Sequence, residues 1–198
     1  MPRNPAGFGA ALCAAVTACA LLSPPAVLAE DTIECERTHV RATDMRAEAA
    51  IAFGMERSAT FRALVDTITH SDLIVYISSK FEMQLPLDGE IHFITSVGSH
   101  RYMRIYVRGE LSPWDRAAMV AHELQHATEV AAAPWVVTNE TMDQLYHEIG
   151  FGVGVDRHET AAARDVTIKV TQELAATSES ASRKPAARGA SAPSRRDR

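Results

Sequence analysis

The chain has 198 residues, 46% of them hydrophobic, with a formal net charge of −5 at pH 7 and three cysteines. That length suffices for one domain with one core. No run beyond the N-terminus reaches the roughly 18 apolar residues of a spanning helix, and no interleaving of basic and aromatic residues points to nucleic acid.

Arg3 is the only charge before Glu30, and an apolar stretch from about Phe8 to Leu22 leads into Ala26-Val27-Leu28-Ala29. This predicts a secretory signal over residues 1–29, cut before Glu30, and hence a secreted or periplasmic protein. Val16-Thr17-Ala18-Cys19 offers a competing reading, a lipid anchor on Cys19, against which the apolar run continues past the cysteine. Cys13 and Cys19 leave with the signal, so Cys35 is the only cysteine of the mature chain and any disulfide must be intermolecular. Its acidic neighbours Glu34 and Glu36 disfavour a thiolate.

Residues 30–57 read as a leader and a helix from about Thr43 to Met55, weakened near its end by Gly54. Ser58 caps a second helix, Ala59 to Thr69, whose Phe61, Leu64, Val65 and Ile68 form one apolar face. The period then changes. Leu73–Ile77 is a β-rich run, and Ile91–Ile94 and Tyr102–Arg108 alternate across the turn signal Val97-Gly98-Ser99-His100, predicting a hairpin in a sheet of about three strands. Which hairpin strand forms the sheet edge is open at this level. Ser112 and Pro113 start a helix running to about Ala131, Thr138 caps another from Asn139 to Ile149, and Gly150, Gly152 and Gly154 read as a connector. A last helix is expected from Arg157 to about Ala176. From residue 178 the chain is Ser, Ala, Pro, Gly and Arg, a basic tail with nothing to bury. The fold class is α+β, with the folded domain over residues 58–177.

The chemistry sits on the Ser112–Ala131 helix. It carries His122-Glu123-Leu124-Gln125-His126, an H-E-x-x-H pattern among uncharged neighbours Val120, Ala121 and Ala127. Histidines four apart on a helix share one face about 6 Å apart along the axis, so both imidazoles can reach one ion at about 2.0–2.1 Å. Glu123 then lies beside the metal, placed to take a proton from water that the ion has acidified.

This pattern resembles the zincin metallopeptidases, and the order of elements from Ser58 to Ala176 resembles a small gluzincin. The metzincin branch would require a Gly and a His where this chain has Glu129 and Ala132. The resemblance implies a zinc-dependent peptidase acting on peptide or protein, with a zincin-like fold and a third ligand, a Glu, on a later helix. Glu159, followed by Thr160 and three alanines, suits that position best; His158, Glu148, His147 and Glu129 are alternatives. The family often has an Asp three or four residues after that Glu; here Ala162 and Ala163 leave the orientation of the ligand histidines unassigned. Tyr146 is the first candidate for stabilising the oxyanion, with His147 and His158 as others. Competing functions are a zinc protein without turnover and an interaction module with a chance motif. The presence of the base Glu123 argues against the former.

Overall fold

The computed structural model describes residues 38–154 and 157–182. The expected signal, Cys35 and the basic tail beyond residue 182 lie outside them. The architecture is α+β. Among the described residues there are five helices, a four-stranded mixed sheet and a separate two-stranded ribbon.

The sheet has the order β1 (Val40–Ala42), β2 (Leu73–Lys80), β4 (His100–Arg108), β3 (Gly89–Val97). β1 and β4 both run parallel to β2, whereas β3 pairs antiparallel with β4 through the hairpin at Gly98, whose φ of 60° favours a residue without a side chain. The sheet thus has one strand more than expected. Three residues give β1 no readable period, and it adds to the sheet through the Val40–Val75 register. β3 is an edge, which the sequence left undecided.

Leu73, Val75, Ile77, Met103, Ile105 and Val107 all bury on the sheet, and helices cover them. Those helices are α1 (Met45–Arg57), α2 (Ala59–Thr69) and α3 (Pro113–Ala131), and α5 (Ala161–Ser182) packs against all three. Gly54, which the sequence marks as a weakness of α1, is where the Phe61 ring presses on that helix. A Cβ there would lie 2.7 Å from Phe61 Cγ and nearer still to the ring edge.

Two polar clamps set the motif helix and its partner. Arg101, on β4 and almost fully buried, donates through Nη1 to the carbonyls of Val130 (3.1 Å), Ala133 (2.9 Å) and Val136 (3.0 Å). It thereby adds a donor at the C-terminus of α3, where Val130 O and Ala133 O also accept from Ala133 N and Val136 N (both 3.0 Å), and supplies one to Val136 O beyond it, while Asp72 holds it through Nε (2.7 Å) and Nη2 (2.8 Å). Glu173 docks α5 on the first turn of α2, accepting from Ser58 Oγ (2.5 Å), Thr60 N (3.0 Å) and Thr60 Oγ1 (2.8 Å). Val170 and Leu174 complete that contact in the core, which brings the first turns of α5 against the middle of α3.

Two boundaries differ from expectation. Gly150–Gly154 is not a bare connector: Phe151–Gly154 forms β5, paired antiparallel with β6 (Arg157–Glu159). The last helix therefore starts at Ala161, not Arg157. Its cap is Thr160, whose Oγ1 accepts from Ala163 N at 3.1 Å. Helix α5 also continues to Ser182, past the expected end at Ala176.

Candidate metal centre

Helix α3 begins as its sequence dictates. Ser112 Oγ accepts from Asp115 N at 3.2 Å, and Pro113 occupies the first turn. The helix then crosses the core, and Ala121, Leu124 and Ala127 are fully buried. His122 and His126 emerge together on the side facing a cleft of about 540 Å³. That cleft is walled by the start of β3, helix α4 (Asn139–Ile149) and the β5–β6 ribbon. A larger concavity of about 660 Å³ lies along Thr38–Asp44 and α1, away from the motif.

The two imidazoles have their ring nitrogens sorted by neighbours. His126 Nδ1 lies 2.9 Å from Glu129 Oε2, a carboxylate that accepts at Oε1 from Thr160 Oγ1 (2.7 Å). His122 Nδ1 lies 2.9 Å from Thr167 Oγ1, whose own hydrogen goes to Ala163 O at 2.9 Å. With that hydrogen spent, Thr167 accepts from His122, so both rings carry hydrogen on Nδ1 and present Nε2 as a free lone pair. Both Nε2 atoms face one oxygen. Glu159 Oε1 lies 3.6 Å from His122 Nε2 and 3.7 Å from His126 Nε2. Donors held about 2.0–2.1 Å from a tetrahedral ion lie about 3.3 Å apart, so the two sides to Glu159 need only a slight contraction, and all three donors lie within 4.8 Å of one another.

Glu159 is thus brought to the histidine pair, from the end of β6 and not from a helix. Thr160 N donates to its Oε1 at 2.8 Å, fixing the carboxylate at the strand-to-helix corner. Glu129 does not join the triangle; it fills the unassigned role of orienting His126. Nothing in the local sequence marks Thr167, which acts from 45 residues away. The i,i+3 spacing of His126 and Glu129 was the available signal for the other partner.

Glu123 lies beside the pair and is only 4% exposed. Burial pushes its carboxyl up to about 7, against the pull of His126, and Glu159 and Glu90 add to the rise. Its neighbour is the backbone of Gly89, a residue the sequence reading missed. A Cβ on Gly89 would come within 2.8 Å of Met119 Sδ and closer still to Glu123 Oε1. Burial and the charge of His126 lower the pKa of His122. For His126 the hydrogen bond to Glu129 and the surrounding carboxylates outweigh burial and raise it. Glu129 is lowered, its hydrogen bonds from His126 and Thr160 overcoming burial.

Three carboxylates, Glu123, Glu129 and Glu159, therefore surround two imidazoles with outward lone pairs. That donor set suits a divalent cation of borderline softness. His122, His126 and Glu159 are the residues that could hold it.

Tyr146 reaches the cleft, but its hydroxyl donates to His126 O at 3.0 Å and its ring packs edge-on to His126. Burial holds its phenol protonated, well above the usual range. His147 and His158 both turn Nε2 toward Asp143. Glu148 belongs to neither cluster of potential metal ligands among the described residues.

The edge strand completes the wall. Asn139 pairs with Phe93 as a strand would, accepting from its N at 3.0 Å and donating to its O at 3.1 Å. The backbone groups of Phe93 therefore point away from β4. The two-residue period gives the same outward direction to Ile91 and Gly89, which line the cleft. Comparison with protein-family models, with curated proteins and with solved structures returns no match.

Proposed function

We propose that this chain is a zinc-dependent peptidase of the gluzincin type, with a zincin-like fold, exported from the cytoplasm and acting on peptide or protein. The observation that carries the reading is the sorted pair of imidazoles. Both Nδ1 atoms are engaged by Thr167 and Glu129, both Nε2 atoms face Glu159 Oε1, and a buried carboxyl stands alongside. His122, His126 and Glu159 would hold the metal. When bound, zinc would polarise a peptide carbonyl and lower the pKa of water.

Glu123 takes the proton from the attacking water and returns it to the leaving amine. A carboxyl lifted to about 7 by burial holds and releases a proton near neutrality, as that shuttle requires. Gly89 leaves room for Glu123 to sit against the strand, and the outward amide groups of Gly89 and Ile91 pair with extended substrate backbone. Asn139 closes that edge at Phe93. The test is Glu123→Gln assayed on a peptide library beside the wild type. Retained zinc with hydrolysis lost supports the reading; equal hydrolysis by both proteins sinks it.

One observation favours a second reading, a zinc protein without turnover. The hydroxyl of Tyr146, the first candidate for the oxyanion, is engaged by the His126 carbonyl. Tyr146→Phe separates the two: a large loss of hydrolysis with zinc intact gives the hydroxyl a catalytic role, and a loss of thermal stability alone gives it a structural one.

A further inference from the structure

We propose that Asp143, His147 and His158 form a second divalent-metal site on the opposite wall of the same cleft, suited to a borderline ion such as zinc or cobalt. Helix α4 buries Met142, Leu145 and Tyr146 and turns Asp143 and His147 outward, four residues apart on one face. The helix is fixed by a capping box between Thr138 and Thr141 and by the Asn139–Phe93 pairing. His158 comes from β6, where it pairs with Gly152, and its side chain is only 13% exposed. Two of the three donors are thus set by a capped helix and the third by a strand.

The donor atoms converge. His147 Nε2 lies 3.4 Å from Asp143 Oδ2, His158 Nε2 lies 3.2 Å from Asp143 Oδ1, and all three donors fall within 4.8 Å of one another. The rings meet edge to face with centroids 4.2 Å apart. A separation of 3.4 Å is long for an N–H···O hydrogen bond, whose range is about 2.7–3.2 Å. It matches the roughly 3.3 Å between two ligands of one tetrahedral ion. Two imidazoles and one carboxylate favour zinc, cobalt, nickel or copper over calcium or magnesium. Asp143 and His147 are more than half exposed, so this site binds more weakly than the buried centre and keeps its open positions in solvent.

The site does not depend on the peptidase reading, because it shares no residue with the His122–His126–Glu159 centre. It is coupled to that centre through the chain: His158 and Glu159 are consecutive, so an ion here ties α4 to the strand that carries Glu159.

The experiment is calorimetric titration of the metal-stripped full chain, purified without a polyhistidine tag, with zinc and then with cobalt. It compares the wild type with His147→Ala, Asp143→Asn, His126→Ala and Glu159→Gln. Two binding steps are expected in the wild type. The weaker should fall at least about tenfold in His147→Ala and in Asp143→Asn, whose exposed side chains leave the fold intact, and survive in His126→Ala and Glu159→Gln. A weaker step unchanged by both α4 variants overturns the site, as does wild-type protein with no binding, or with one step that ignores both α4 variants. A single step that ignores His126→Ala and Glu159→Gln but disappears in His147→Ala upholds this site and sinks the zinc centre proposed above.

Discussion

Arg101 holds the helix that carries the motif, and replacing it with methionine tests that directly. Methionine fills most of the volume but donates nothing. The carbonyls of Val130, Ala133 and Val136, now met at 2.9–3.1 Å, lose the guanidinium in a site where Arg101 is almost fully buried; Val130 O and Ala133 O keep Ala133 N and Val136 N as donors, and Val136 O is the one left orphaned among the described residues. One buried carbonyl left without a partner costs about 1–3 kcal/mol and the two that lose only a second donor add little, so the loss is about 2 kcal/mol. The paired bonds to Asp72 add little, because Asp72 is 41% exposed and water replaces the guanidinium; such pairs contribute about 0–1 kcal/mol. A loss of about 2–3 kcal/mol corresponds to a fall in Tm of roughly 7 °C for a domain of this size. Thermal melts followed by circular dichroism, with urea titrations for the free energy, measure it. The Arg101 hydrogen bond holds the Asp72 carboxyl below its usual range. The stabilisation from that pairing is therefore present above the unfolded pKa, near 4, and is lost as pH falls through the folded value, so part of the difference between the proteins closes below about pH 4. A Tm within 2 °C of wild type at pH 7 would refute the clamp.

Three further substitutions probe packing and the site. Gly54→Ala gains helix propensity of about 1 kcal/mol yet should destabilise by about 1–2 kcal/mol net, because the new Cβ strikes the rigid Phe61 ring; a more stable protein by urea titration contradicts this. Gly89→Ala drives the new Cβ into Glu123, and a misplacement of about 1 Å should lower peptide hydrolysis about 100-fold while zinc content stays unchanged. In metal-stripped protein the raised pKa of Glu123 means that the folded state holds its proton longer than the unfolded chain. Stability should thus fall as pH rises from about 4.5 to about 7, by a few kcal/mol in total. Glu123→Gln should remove that slope in urea titrations across the window, and an identical slope in both proteins would count against a buried, neutral carboxyl.

Local signals made the motif helix legible. Ser112, Pro113 and Asp115 place its start, and the four-residue spacing of His122 and His126 places both rings on one side. Thr138 and Gly150 likewise bound α4. What the sequence hid was made by pairing at a distance. β1 is three residues long and gains its identity only from β2. β5 is half glycine, and a glycine strand offers no side-chain period to read. The position of Glu159 turned on which residue caps the last helix. The answer is Thr160, because its hydroxyl serves both Ala163 N and Glu129. Thr167 and Gly89 reach the centre only through the packing of α5 and the approach of the edge strand, which no local window contains. The proton on the His122 ring, set by Thr167, is likewise a tertiary fact.

The most direct measurement is zinc content after exhaustive dialysis, made in the His147→Ala background so that only the buried centre is counted. The account predicts about one zinc per folded chain, lost when either His126→Ala or Glu159→Ala is added. Full zinc content in both of those double variants, or none in the parent after reconstitution with zinc, would contradict it.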